Sequence, residues 1–236
     1  MRATVVVPTY NEIENIERLI REVLAAAPHV QILVVDDGSP DGTADKAEAL
    51  GRELGHVSVL RRTEKNGLGN ADRAGLRKAI DDGAAICVQM DAAMSHDPAV
   101  LAALIGNVEF GADLAIGSRY VPGGRTVDWP RRRRMLSRWG NRYAAGVLGL
   151  AVNDATAGYR AYSAAGLEQM QVESGQADGY GIPYNVVDGT AAGTDWLPFS
   201  FRSTDANDGS VGWASESDCA LPDGAARRCP GAAARL

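Results

Sequence analysis

The chain has 236 residues, 45% hydrophobic and 23% charged, with 24 Lys+Arg against 30 Asp+Glu for a formal net charge of −6. That is one ordinary globular domain, with room for an appendage. It excludes a fully disordered chain, and no run approaches the roughly 18 apolar residues of a membrane-spanning helix. The opening MRATVVVPTYNE is too short in its apolar part for a signal peptide. Cys87, Cys219 and Cys229 form no C-x-x-C pair, which suits a reducing compartment and argues against structural zinc. A cytosolic protein is expected.

Short β-branched runs alternate with helical patterns through the first half of the chain. The runs at 4–7, 32–35, 57–60, 85–90 and 114–116 read as buried strands. Ile13, Ile16, Leu19, Ile20, Val23 and Leu24 recur at helical spacing, and further helices are predicted at 43–54, 71–80 and 100–108. Strict alternation of strand and helix predicts an α/β fold with a mainly parallel sheet and helices on both faces. Ligands bind beyond the carboxyl ends of such strands, which selects the segments 8–12, 36–43 and 91–97.

In the first of these, Asn11 is a candidate helix cap, with Glu12 and Glu14 expected in the first turn. Tyr10 is an aromatic at the functional edge, able to stack on a base. In the second, Asp36 and Asp37 before Gly38, Ser39 and Pro40 place two carboxylates at a strand end, where they can accept hydrogen bonds from a base and a ribose. A solvated turn is the alternative, with Asp41 or Thr43 capping the next helix. Gly67-Leu68-Gly69 fails as G-x-G-x-x-G, because Asp72 stands at the third glycine position, and it reads as a loop entering a helix. In the third segment Asp91, at the end of a buried strand, suits a hard cation such as Mg²⁺ or Mn²⁺. Asp97 before Pro98 reads as a helix cap, and His96 as a weak ligand or a satisfied surface histidine.

Residues 117–142 hold eight arginines against one acid, Asp128, a local +7 that leaves −13 elsewhere. Guanidinium forks match phosphate oxygens, and Trp129, Met135, Leu136, Trp139, Val147 and Leu148 add apolar groups. The combination fits an anionic lipid head at a membrane surface better than nucleic acid in so acidic a chain.

Taken in order, the motifs at 5–12, 34–43, 90–98, 117–124 and 154–162 resemble inverting family 2 glycosyltransferases, and within them the dolichol-phosphate and polyprenol-phosphate mannosyltransferases. The resemblance spans about residues 3–170 and implies a GT-A fold, GDP-mannose as donor, Mg²⁺ or Mn²⁺, and polyprenyl phosphate as acceptor at the cytoplasmic face of a membrane. Carried over by position, it assigns the donor nucleotide to Pro8, Tyr10, Glu12, Asp36 and Asp37, and the metal to Asp91. It assigns the acceptor phosphate to Arg119, Arg133 and Ser137, with Asp91 and Arg119 as the catalytic pair. UDP-glucose as donor is the alternative within enzymes, and a nucleotide-binding or lipid-binding remnant the alternative outside them.

Two departures matter. The family pattern Asp-x-Asp here ends in Ala93, which removes a charged oxygen ligand. The resemblance sets a domain at 1–170 and leaves 171–236 as an irregular C-terminal tail. From Glu173 to Leu236 there is no lysine and no sustained period, and the family's later elements are not found after Gly179-Tyr180-Gly181. This is the pattern left by a shifted reading frame or a recombined end, and the tail is expected to pack poorly.

Overall fold

Val5, Val6 and Val7 alternate between the two faces of strand β1 (Ala3–Thr9), and all three are buried, so β1 lies inside a sheet covered on both sides. The computed structural model describes residues 1–63, 67–120, 131–148, 154, 157–169, 201–205 and 211–212. Its further strands are β2 (Gln31–Asp36), β3 (Val57–Arg61), β4 (Ile86–Gln89), β5 (Leu114–Ser118), β6 (Arg160–Ser163), β7 (Phe201–Asp205) and β8 (Val211–Gly212). They pair in the order β3-β2-β1-β4-β6-β5-β7-β8. β6 runs antiparallel to both neighbours, β8 runs antiparallel to β7, and the other pairings are parallel.

Helices cover both faces. α1 (Ile16–Ala26) buries Ile16, Leu19, Ile20 and Val23, the spacing of one helical stripe, beneath Val5, Val7, Ile32 and Val34. α2 (Thr43–Leu54) and α4 (Leu101–Glu109) join the same core through Ala47, Leu50, Leu101 and Leu104. On the opposite face, α3 (Leu68–Asp81) and α6 (Ala164–Gln169) place Ala71, Leu76, Ala79 and Leu167 against Val6, Leu33, Val35 and Cys87. α5 (Arg131–Leu148) is the longest helix among the described residues. No helix among the described residues is long and apolar enough to cross a membrane.

The predicted strands and helices fall where the periodicity put them, with three differences. Asn11 does not cap α1: its φ is +60°, and the helix begins only at Ile16, so Glu12 and Glu14 precede it. The Glu12 carbonyl instead accepts the N–H groups of Asn15 and Ile16 at 3.0 and 2.9 Å, a turn that leads into the helix. β6 was not predicted, because four residues give too short a period and Arg160, fully buried, disguises it. β7 extends the sheet beside β5 from within the irregular segment; apart from it and β8, 171–236 lies outside the described residues.

β2 and β4 flank β1 on opposite sides, so the chain reverses its winding there. The ladder to β2 continues to Thr9↔Asp36, whereas the ladder to β4 ends at Val6↔Gln89. The strands therefore part beyond Val6. Pro8, which has no N–H to donate, sits past the end of the β4 ladder and costs it no hydrogen bond.

Candidate functional site

The loops after β1, β2 and β4 open onto this parting. After β1 the chain turns at Asn11, whose N–H is accepted by Ser39 Oγ at 3.0 Å, while the N–H groups of Glu12 and Ile13 go to Thr43 Oγ1 and Asp41 Oδ2 at 3.0 and 3.1 Å. The loops after β1 and β2 are thus one hydrogen-bonded unit. Tyr10 stands at its rim, 38% exposed.

Asp36 and Asp37 are not a solvated turn. Asp36 Oδ1 accepts the hydroxyls of Ser39 at 2.6 Å and Thr9 at 3.2 Å, and its Oδ2 accepts the Ser39 N–H at 2.9 Å. Gly38, with φ of +72°, supplies the left-handed step that brings Ser39 back. Asp37 pairs with Arg62 at 2.9 Å, both largely buried. Asp41 Oδ1 takes the N–H and hydroxyl of Thr43 at 3.0 and 2.6 Å, satisfying the first N–H of α2. Burial works against the charge of Asp41, and these bonds outweigh it, so its carboxyl titrates below the ordinary value.

Asp91 lies two residues past β4. The chain returns through Met94, with φ of +57°, so that Ser95 Oγ meets both carboxylate oxygens at 2.7 and 2.6 Å. His96 Nδ1 accepts the Asp91 backbone N–H at 3.2 Å, which leaves the proton of the neutral ring on Nε2, 3.5 Å from Asp91 Oδ2. His96 is neither a surface histidine nor placed as a ligand: its ring lies flat on Tyr159, centroids 4.8 Å apart, and Nε2 acts as a donor toward Asp91. Burial lowers its pKa, the Asp91 charge raises it, and Arg119 lowers it again. Tyr159 packs on Gly117, where a Cβ would come within 3.2 Å of the ring, so β5 supports His96 through a bare backbone.

Asp91 is the one expected metal residue. Among the described residues no group of three His, Cys, Asp or Glu side chains could hold an ion, and Ala93 is exposed where a second carboxylate was expected. A divalent cation fits here only as Mg²⁺ fits many nucleotide sites, through one carboxylate with substrate phosphate oxygens and water completing the shell.

Beyond β5, Arg119 sends its backbone N–H, Nε and Nη2 to the carboxylate of Asp154 at 3.1, 2.7 and 2.6 Å. Asp154 is 0% exposed, and this two-pronged pairing fixes the guanidinium plane. Sequence reasoning missed this partner, 35 residues away. Tyr120 donates its hydroxyl to Ser137 on α5 at 2.6 Å, which brings Ser137 to the same edge as Arg119. The backbone of Arg133 is in α5, so its helical spacing from Ser137 holds, but its side chain lies outside the described residues, as does Trp129. Met135, Leu136, Trp139 and Tyr143 form a stripe along α5, 62% to 71% exposed, with Trp139 and Tyr143 stacked at 5.5 Å. Arg131, Arg132, Arg138 and Arg142 are also exposed on this helix.

The sequence profile described as Glycosyl transferase family 2 matches residues 4–170. A polyprenol monophosphomannose synthase of Mycolicibacterium smegmatis is 47% identical over 180 residues, covering 76% of this chain and 68% of its own. An undecaprenyl-phosphate mannosyltransferase of Micrococcus luteus is 44% identical over 191 residues, covering 81% and 78%. Among solved structures, the mannosyltransferase PcManGT of Pyrobaculum calidifontis, in complex with GDP-Man and Mn²⁺, aligns with a TM-score of 0.54 at 20% identity over 90% of this chain and 56% of its own. At that identity the alignment speaks for the fold, and the expected GT-A architecture holds.

Proposed function

The chain belongs to glycosyl transferase family 2, and from that premise we propose that it transfers mannose from GDP-mannose to a polyprenyl phosphate at a membrane surface. The observation that carries this reading is the convergence at one sheet edge: the loops after β1, β2, β4 and β5 leave the same edge, the Arg119 charge acts on His96 beside Asp91, and the Tyr120 to Ser137 bond ties that edge to the arginine helix. The curated relatives, named for polyprenyl-phosphate mannosyl transfer, support it.

In this reading the nucleotide lies along the loops after β1 and β2. Tyr10 stacks on the base, Pro8 and Glu12 shape the wall, and Asp36 and Asp37 face base and ribose. The lipid phosphate is anionic near neutral pH and needs no protein base. Its oxygen forms a bond to the anomeric carbon from the face opposite GDP as the bond to the diphosphate breaks, and GDP departs with that electron pair, inverting the configuration. The protein's work is to orient both anions and screen their repulsion. Arg119, Arg133 and Ser137 receive the acceptor phosphate. Asp91 would hold a divalent cation, which supplies positive charge to the departing diphosphate. In the same reading the apolar stripe of α5 rests on the cytoplasmic lipid surface while its arginines meet anionic heads.

Ala93 favours a second reading, a protein that binds these anions with little turnover. Transfer of label into lipid separates the readings, and calorimetry with GDP-mannose and UDP-glucose, with and without Mn²⁺, tests the donor and the ligand at position 93. GDP-mannose is expected to bind more tightly than UDP-glucose, and Ala93→Asp to tighten the Mn²⁺-dependent part about tenfold, or about 1.4 kcal/mol. Equal affinity in both forms at saturating Mn²⁺ contradicts a missing ligand at position 93, and preference for UDP-glucose overturns the donor.

A further inference from the structure

Tyr120 sits between two guanidinium groups. The Cζ atoms of Arg119 and Arg138 are each 5.4 Å from its ring centroid, within the reach of cation–π attraction. Its hydroxyl is 2.6 Å from Ser137 Oγ, 17 residues along the chain. Of the two hydroxyls the phenol is the more acidic, so Tyr120 donates and the serine oxygen accepts. A serine inside a helix ordinarily turns its hydroxyl back on the carbonyl one turn earlier. Ser137 instead accepts from Tyr120, and a hydroxyl that accepts keeps its own hydrogen, so the half-buried Ser137 has a donor to offer the site. The charges around the ring are also unbalanced: Asp154 offsets Arg119, whereas Arg138 makes no ion pair among the described residues. One ring therefore gathers a donor hydroxyl and a net positive charge.

Resting on the reading of Ser137 and Arg119 as acceptor-phosphate residues, we propose that Tyr120 is a positioning residue of the acceptor site. By donating to Ser137 it fixes that hydroxyl as a donor to the phosphate monoester, and its ring spaces Arg119 and Arg138 so that both charges face the same anion. Arg138 thereby joins the phosphate-binding set.

Farnesyl phosphate, a short soluble polyprenyl phosphate, serves as the probe in calorimetry on the full chain. Tyr120→Phe keeps the ring between the guanidinium groups and removes only the hydroxyl. It is expected to weaken farnesyl phosphate about tenfold and leave GDP-mannose affinity unchanged. Ser137→Ala should lose a similar factor, Ser137→Thr should retain most of the affinity, and the Tyr120→Phe/Ser137→Ala pair should lose no more than either alone. If Ser137→Ala binds as the parent does, the acceptor reading of Ser137 fails and the role of Tyr120 with it. If Ser137→Ala is weakened and Tyr120→Phe is not, the acceptor reading stands and the orienting role is overturned. Additive losses overturn it equally.

Discussion

Replacing Asp154 by alanine is expected to destabilise the protein by about 3 to 5 kcal/mol, the cost of leaving a largely buried charge without its partner. Arg119 delivers three hydrogen bonds to a carboxylate that no solvent reaches, and its own side chain is mostly covered. Against a typical total stability of about 5 to 15 kcal/mol, this is a large fraction. Urea unfolding followed by circular dichroism measures it. Removing both partners in an Arg119→Ala/Asp154→Ala protein should cost less than the two single changes added together, because neither charge is then stranded. A midpoint for Asp154→Ala equal to that of the parent contradicts a structural ion pair at this edge of the sheet. The pair bears on function because it sets the plane of a guanidinium whose charge acts on His96, beside Asp91.

A second large effect is expected at Asp72, on the face of the sheet opposite α1. Its carboxylate accepts from Gln89 Nε2 at 2.7 Å, Gln89 Oε1 accepts from the Tyr162 hydroxyl at 3.1 Å, and Oδ1 of Asp72 has no hydrogen-bond partner among the described residues. Burial pushes its pKa up to about 7, against the opposing pull of the Gln89 bond and the Arg160 charge. An unfolded aspartate titrates near 3.9, so between about pH 4 and pH 7 the folded chain holds a proton that the unfolded chain has lost. The unfolded state then binds fewer protons, and stability falls as pH rises through this window, then levels above it. Three pH units correspond to about 4 kcal/mol. Asp72→Asn keeps the shape and an acceptor for Gln89 and removes the charge. It should be more stable than the parent at pH 8 by up to about 4 kcal/mol and nearly equal to it at pH 4. The same difference at both pH values contradicts a buried, proton-holding carboxyl.

Much of this architecture was legible because the signals were local and long. The stripe of α1 and the alternation of β1 repeat often enough to fix element and face together, and Asp97 before Pro98 caps its turn as the pair suggests, accepting the Ala99 N–H at 2.9 Å. Carboxyl ends of parallel strands gave the edge where Tyr10, Asp36, Asp37 and Asp91 stand. Burial of Asp36 and Asp37 was not legible. Asp36 reads as a charge at a turn, yet Thr9, from another strand, helps to enclose it. His96 was readable as a ligand or a surface group because a lone histidine carries no record of its ring partner, Tyr159, 63 positions on. Arg119 with Asp154, and Tyr120 with Ser137, are contacts between distant segments that no periodicity encodes. The same holds for β6, whose antiparallel insertion between β4 and β5 is set by the sheet and not by its own four residues.

Transfer itself is measured most directly with radiolabelled sugar nucleotide and vesicles containing a polyprenyl phosphate, counting label in the organic extract. GDP-mannose with Mn²⁺ is expected to label the lipid fraction, with UDP-glucose giving none, and Asp91→Ala is expected to abolish the label while Ala93→Asp raises it. Label from UDP-glucose in place of GDP-mannose, or no mannose label from either the parent chain or Ala93→Asp, contradicts mannosyl transfer to polyprenyl phosphate.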